Sequence, residues 1–329
     1  MITFSQLANA RALQEHGNFR RAAVAQQLSQ PAFSRSIQKL EAALGVTLFD
    51  RQTSGAEPTI YGEVLLQRAD TILLETLEIE RETRLLKKLD IGSLSVGMGF
   101  FAAEISGRGA IAEMVRLHPE LRCQITVDDW RVVGEMVLDR RVDIGFAGIN
   151  HLTEHKELEV HPVGQHELVC FCRSDHPLFE LESLSKSDLD AYPVVTVRVP
   201  PEMASVFPGK SYVDKNSGDL TPSIRAGDQA TAREIVAGSN AFSLATPVQI
   251  EPWLHSGELR ILDFREPWMI ASYGFIYRKN RMLAPMAEAF MQHVRAIETE
   301  MTQRNHDLLK KLLAGIGRSG DVNQPIDQE

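Results

Sequence analysis

Ser29-Gln30-Pro31-Ala32-Phe33-Ser34-Arg35-Ser36-Ile37-Gln38-Lys39-Leu40-Glu41-Ala42-Ala43-Leu44-Gly45 decides the fold of the N-terminal part of this chain. Ser29 is a helix-capping residue, Pro31 falls in the first turn, where its missing N–H costs nothing, and Gly45 suits a helix end. Phe33, Ile37, Leu40 and Leu44 repeat at helical spacing and predict one buried stripe. Pro31, Ser34, Arg35 and Gln38 fall on the opposite side. An ordinary solvated face is richer in Glu and Lys. A face of small, amide and guanidinium side chains suits the major groove of DNA, where Arg reads guanine and Gln reads adenine.

Upstream, Thr3-x-x-Gln6 is a capping box opening a helix that stops at Gly17. Asn18 then caps a second helix over residues 19–28. Two short helices and a tight turn predict a helix-turn-helix. Downstream, Leu48-Phe49-Asp50-Arg51 and Pro58-Thr59 predict a small hairpin, a wing, with Ser54-Gly55 at its tip. From residue 61 to 90 there is no proline. Leu65, Ile72, Ile79 and Leu86 recur every seven residues, and Ala69, Thr76 and Thr83 follow the first three by four. This predicts a coiled-coil seam on a helix of roughly 45 Å. Such a rod either joins a second copy of the chain or packs on its own domain.

Charge follows the same division. The 329 residues carry a net charge of −9, yet residues 16–51 hold five basic side chains against two acidic ones. A locally basic segment on an acidic chain fits a nucleic-acid head on a body that does not touch nucleic acid; scattered surface charge is the alternative. With 43% hydrophobic and 24% charged residues the composition is globular. There is no membrane-length apolar run and no signal-peptide pattern, and there are only three cysteines, which predicts a cytoplasmic protein without a disulfide framework.

After Ile91-Gly92 the pattern becomes α/β alternation. Strands are predicted at 94–98, 122–127, 142–147, 167–172, 193–197, 241–245 and 273–277. Helices are predicted at 110–117, 132–138, 230–237 and from 284 to about 313, the last in one or two pieces. The polar, Gly-containing tail from Gly315 is predicted to be disordered.

Residues 18–51, from Asn18-Phe19-Arg20-Arg21-Ala22-Ala23 through the stretch quoted above to Leu48-Phe49-Asp50-Arg51, resemble the signature of LysR-type transcriptional regulators. Arg140-Arg141-Val142-Asp143-Ile144-Gly145-Phe146, Ser174-Asp175-His176-Pro177-Leu178, Glu234-Ile235-Val236-Ala237-Gly238 and Phe242-Ser243-Leu244-Ala245-Thr246-Pro247 resemble further segments of that family. The resemblance covers about residues 2–300. It implies an all-α winged helix-turn-helix at 1–60 and a dimerisation helix at 61–90. An α/β effector domain, like the type 2 periplasmic binding proteins, follows at 91–302. Its first subdomain is expected at 91–162 plus 268–302 and its second at 163–267, with hinges near His161-Pro162 and Glu266-Pro267 and a tail at 303–329.

By the same resemblance, Gln30, Pro31, Ser34 and Arg35 meet DNA; Ser29 and Ser34 are expected at the DNA backbone, Gln38 joins them by its place on the outer face of the helix, and Arg51 and Thr59 help to hold the wing. Arg20 and Arg21 either face phosphate or are plain surface charges. A homodimer or homotetramer on promoter DNA is implied, with RNA polymerase as a further partner, and neither a cofactor nor a membrane is implied. A small-molecule effector is expected between the subdomains, near Gly99, Phe100, Phe101, Asp128, Asp129, Trp130, Phe146, Ala147, Gly148, Arg198, Val199 and Thr246. Phe100 and Phe101 stand where many relatives carry Ser or Thr, which favours an aromatic or amphipathic effector over a simple carboxylate. Phe100, Phe101 and Trp130 are either cleft wall or ordinary core. Arg198 either binds a ligand anion or pairs with an acidic neighbour.

Other chemistry is weakly supported. Cys170-x-Cys172 reads as two buried small residues, with a redox pair as the alternative. His151, His155 and His161 lie in a loop-like stretch with no metal-helix spacing, Gly97-x-Gly99 lacks the rest of a dinucleotide fingerprint, and no Ser/His/Asp triad signature is present. A regulator is therefore expected rather than an enzyme. The competing readings are a transport-type binding protein, which would need a signal peptide, and a nucleoid protein, which would not need the large body.

Overall fold

The computed structural model describes residues 1–52, 55–87, 92–150, 152–153, 155–197, 205–213 and 220–316. They form two compact units, Met1–Asp90 and Ile91–Glu329. In the first, α1 (Phe4–His16) is opened by the Thr3/Gln6 capping box and closed by Gly17 in the left-handed conformation. Asn18 caps α2 (Phe19–Ala25), which ends three residues before the expected Leu28. Ser29 caps α3 (Gln30–Leu44), and left-handed Gly45 ends it. Phe33, Ile37 and Leu40 are buried with Leu13, Ala22 and Ala23. Leu44, expected in that stripe, is exposed in the last turn, where the helix leaves its packing partners.

The wing forms as expected: β1 (Phe49–Gln52) pairs antiparallel with β2 (Gly55–Pro58). Its expected tip residue Ser54 and the Arg51 side chain lie outside the described part. The Glu41 carboxylate accepts the Leu48 and Phe49 N–H groups, fastening the end of α3 to the wing. Thr59 caps α4 (Ile60–Leu86) and donates its hydroxyl to the Thr47 carbonyl. A β-carbon on Gly62 would lie 2.1 Å from the Leu48 carbonyl oxygen, so only glycine lets α4 start this close to the wing. Leu66 and Ala69 are buried against the head, whereas Ile72, Leu77, Ile79 and Leu86 are exposed.

The second unit opens with β3 (Ser93–Met98). A continuous helical stretch follows, made of α5 (Phe100–Ala102), a π-helical turn (Ala103–Gly107) and α6 (Arg108–Leu117). Then come β4 (Arg122–Val127), α7 (Trp130–Leu138), β5 (Ile144–Gly148) and β6 (Leu158–Glu167). After β7 (Val169–Arg173) and a 3₁₀ turn at Pro177–Glu180, the chain runs through α8 (Lys186–Leu189), β8 (Val195–Thr196), β9 (Ser211–Val213), β10 (Leu220–Pro222) and β11 (Ile224–Arg225). It continues with α9 (Gln229–Ala237), β12 (Ser243–Ala245), α10 (Pro247–Ser256), β13 (Leu259–Ile261), β14 (Ile270–Arg278) and α11 (Pro285–Ile316).

These elements build two lobes. The first holds the five-stranded sheet β4-β3-β5-β14-β6, with β3 parallel to β4 and β5 and with β14 antiparallel to its neighbours. The second holds β12-β7-β13, joined at Val194/Phe242 to the short parallel pair β8/β11. The expected crossing at His161-Pro162 falls in the middle of β6, paired with β14. The chain instead leaves the first sheet after Glu167, and the Leu168 N–H meets the returning strand at the Met269 carbonyl, 2.8 Å away. Pairing to β14 carries β6 past the proline, whose missing N–H is tolerated because β6 is the sheet edge.

The end of the chain also differs from expectation. α11 is one helix running to Ile316, close to the helix expected from 284 to about 313, and it passes through the boundary expected at 302/303 between effector domain and tail. Phe290 and Val294 lie in the first lobe's core, with the Phe290 ring 6.0 Å from Phe146. Leu309 is buried in the second lobe's core, the Asn305 side chain accepts the Val248 N–H, and Arg304 pairs with Glu251 at 2.8 Å. One helix therefore packs on both lobes. Residues 317–329 of the expected disordered tail lie outside the described part.

Candidate functional site

Two surfaces carry chemistry. On the first unit it is the outer face of α3. Gln30, Pro31, Arg35 and Gln38 are exposed and Ser34 is half-buried, directly opposite Phe33, Ile37 and Leu40. Ser29 accepts the Ala32 N–H, and Arg35 Nε donates to the Pro31 carbonyl at 3.3 Å. From behind, buried Asn9 donates to Ser36 at 2.8 Å and locks α3 onto α1. Arg20 and Arg21 are exposed at the start of α2. The result is a rigid helix that presents amide, hydroxyl and guanidinium groups to solvent, as major-groove readout requires.

On the second unit it is a cavity of about 160 Å³ between the lobes. Gly99, Phe100 and Phe101 line it from the start of α5, Asp129 and Trp130 from the start of α7, and Gly148 from the end of β5. Asp128 stands behind this wall and accepts the Asp129 N–H. Phe146 is not part of the lining: it is fully buried against Tyr273, Phe275 and Phe290. Ala147 is likewise core, pressed against Gly99. Thr246 is buried as the cap of α10, where its hydroxyl bonds Gln249. Phe146 and Ala147, consecutive on β5, point to opposite faces of the sheet and each is covered by its own core, while the Thr246 capping hydroxyl turns back on its own helix. Arg198 and Val199 lie outside the described residues.

Sequence reading missed most of the wall. Thr196, Val197, Phe207 and Leu244 come from the second lobe, and Trp268 and Ile270 to Tyr273 from the returning strand. The aromatic pair in Trp268-x-x-x-x-Tyr273 was the available signal. The Phe207 and Trp268 rings are in contact, tilted by 40° with centroids 5.6 Å apart. Tyr273 donates its hydroxyl to buried Glu298 at 2.8 Å, and Glu298 also pairs with buried His166 at 2.9 Å. Desolvation and the Glu298 carboxylate push the Tyr273 pKa upward, so the phenol remains a hydrogen-bond donor.

Two ionic contacts cross between the lobes beside this cavity. In the π-helical turn, Glu104 receives Arg233 from α9 at 3.0 and 3.3 Å and the Gln249 amide from α10 at 3.0 Å. Asp129 caps α7 by accepting the Arg131 N–H at 2.8 Å and faces Arg225 from β11 at 3.7 Å. Cys170 and Cys172 are both buried in β7. Burial pushes the Cys172 pKa up to about 12 and the Cys170 pKa higher still. Among the described residues, no cluster of three or more His, Cys, Asp or Glu could hold a metal ion, and no helix is long and apolar enough to cross a membrane.

A winged helix-turn-helix and a two-lobed body with an interlobe cavity define a ligand-responsive DNA-binding regulator. Comparison with known proteins identifies the family. Residues 4–63 match the bacterial regulatory helix-turn-helix domain of the lysR family, and residues 88–297 match the LysR substrate binding domain. The chain belongs to the LysR-type transcriptional regulators. It is 32% identical over 294 residues to the SDS degradation transcriptional activation protein of Pseudomonas sp., covering 88% of this chain and 94% of that protein. It is 27% identical over 297 residues to the HTH-type transcriptional regulator GbpR of Azospirillum brasilense, covering 89% and 86%.

Among solved structures, a full-length OxyR variant from Pseudomonas aeruginosa shares the fold with a TM-score of 0.59 at 18% identity, covering 90% of this chain and 95% of that one. Full-length CbnR in complex with its target DNA gives 0.56 at 22% identity, covering 90% and 100%. The protein is a transcriptional regulator with a DNA-binding helix-turn-helix and an effector-binding domain, not an enzyme.

Proposed function

We propose that this chain acts in the cytoplasm of a bacterium as a homodimer or homotetramer. In this reading α3 reads a two-fold-symmetric promoter site, and a small effector with an apolar body occupies the interlobe cavity. The domains divide as 1–60 for the head, 61–90 for the dimerisation helix and 91–302 for the effector domain, and α11 continues beyond that division. Arg35, Gln30 and Gln38 would meet base edges, Ser29, Pro31 and Ser34 the adjoining backbone, and Arg51 and Thr59 would hold the wing. Gly99, Phe100, Phe101, Asp129, Trp130 and Gly148 would contact the effector, and RNA polymerase would be the downstream partner.

The observation that carries this reading is the contrast between the two surfaces. The exposed face of α3 is polar and held rigid from behind, while the cavity is walled by Phe100, Phe101, Trp130, Phe207 and Trp268. A 160 Å³ apolar cavity is close to the size that takes up a benzene ring, about 150 Å³. The name of the Pseudomonas relative, an activator for SDS degradation, agrees with an amphiphilic effector. The test is a titration of the full chain against its own promoter fragments at several salt concentrations. A specific site should stand out from random DNA by about 10³-fold or more. Equal affinity for every fragment would refute the reading.

A further inference from the structure

Arg225 lies just outside the cavity lining, next to two residues that belong to it. It lies on β11, paired in register with cavity-lining Thr196 on β8. Its side chain is 55% exposed, and among the described residues its ionic contact is with Asp129 at 3.7 Å. A guanidinium has five donors, and a single contact at that distance leaves most of them unused. Asp129 is in the opposite condition. It is 4% exposed and already bonded at short range by the Arg131 N–H in its capping role. It is also the only charged residue among the described residues that line the cavity.

We infer that Arg225 is the head-group receptor of the effector site, and that the site takes a monoanionic amphiphile whose apolar body fills the cavity while its carboxylate or sulfate replaces Asp129 as the partner of Arg225. The inference rests on the cavity being the effector site. Asp129 keeps its bond from the α7 backbone when Arg225 is drawn away, so exchange does not leave a buried carboxylate without a donor. Asp129 belongs to the first lobe and Arg225 to the second, so the exchange replaces a contact between lobes with one to ligand. Occupancy is thereby coupled to how the lobes are held.

The test uses the full chain and four probes with the same tail: hexanoate, hexyl sulfate, 1-hexanol and hexylammonium, titrated calorimetrically. At least one of the two anions should bind saturably, one per chain and about tenfold or more tighter than hexanol; which of them binds distinguishes a carboxylate from a sulfate effector. Hexylammonium should not bind. Arg225→Gln should bring the anion down to the hexanol level and leave hexanol unchanged. Asp129→Asn keeps a capping side chain and removes the competing charge, so anion binding should strengthen severalfold. Ala271→Phe and Ser272→Phe, each checked for folding by circular dichroism, fill the cavity and should block all probes. Anion binding that survives both filling variants would show that the cavity is not the site. Binding blocked by them but indifferent to head-group charge or to Arg225→Gln would leave the cavity reading standing and overturn the role of Arg225. Absence of binding by every probe overturns it as well.

Discussion

Glu104 and Arg233 face each other across the two lobes with both carboxylate oxygens engaged, at 3.0 and 3.3 Å, and both side chains are about nine-tenths buried. Arg233 also lies over the Trp253 ring at 4.6 Å, and Gln249 adds a third bond to Glu104. A buried pair of this kind contributes little beyond a well-packed apolar substitute, but removing one member leaves the other uncompensated. Glu104→Ala should therefore destabilise the body by about 3–5 kcal/mol. Adding Arg233→Met should recover part of that loss. Urea unfolding of the two variants measures both.

Arg35 and Phe33 are two residues apart on one helix and should behave as opposites. Arg35→Ala should leave the unfolding midpoint unchanged and weaken binding to the specific promoter site by about 1–3 kcal/mol. Phe33 is fully buried. Phe33→Ala should cost about 3–5 kcal/mol of stability in the head, and DNA affinity should fall only as the folded fraction falls. Fluorescence titration and thermal unfolding of the two variants separate the roles.

The far half of α4 leaves Ile72, Ile79 and Leu86 at 47, 65 and 71% exposed. Apolar side chains repeating every seven residues on one helix call for a partner surface. Replacing all three with Gln should convert the protein to a monomer in sedimentation velocity, with the head still folded.

Cys170 and Cys172 are predicted to be unreactive. A thiol with a pKa near 12 is ionised to roughly one part in ten thousand at pH 8, and the thiolate is the reactive form. Native protein should expose at most Cys123 to a thiol reagent over minutes, and denaturant should release all three. Two rapidly titrating thiols in β7 would restore a redox role.

His176 gives the second lobe a dependence on pH. Its ring is buried, accepting the Leu178 N–H and bonding the Asn240 carbonyl, and desolvation lowers its pKa below the usual value. The unfolded chain then binds this proton more readily than the folded one. Stability is complete above the unfolded value of about 6.5 and falls as pH drops below it toward the lower folded value. Thermal midpoints between pH 7.5 and 5 should decline, and His176→Gln should flatten that part of the profile.

Sequence was most informative where local chemistry and burial agree. Thr3, Asn18, Ser29, Gly17 and Gly45 mark helix ends by their own hydrogen bonds and backbone preferences, and each stands at the boundary expected of it. β6 was missed because a strand at a sheet edge shows neither a continuous apolar run nor strict alternation, and because Pro162 and three nearby histidines imitate a loop. α10 was missed because Pro252 interrupts its pattern. In the cavity, the Phe100–Phe101 and Asp129–Trp130 walls follow strand ends and could be read locally. Phe207 reaches it only through the folding of the second lobe onto the first, and Trp268 and Tyr273 only through the return of the chain to the first sheet at β14. Phe146 and Thr246 were placed at the cavity by their position at strand ends, but the direction of a side chain depends on register, which composition does not reveal.

The long α11 acts as a splint. Its early turns are rooted beneath Tyr273 through Glu298, and Leu309 near its far end is embedded in the other lobe's core. A body braced in this way cannot work as a wide-opening jaw. A swing of one lobe against the other must bend α11 or break its contacts with one of the two cores. Trimming the chain after residue 302 would remove the Arg304, Asn305 and Leu309 contacts with the second lobe and loosen the brace.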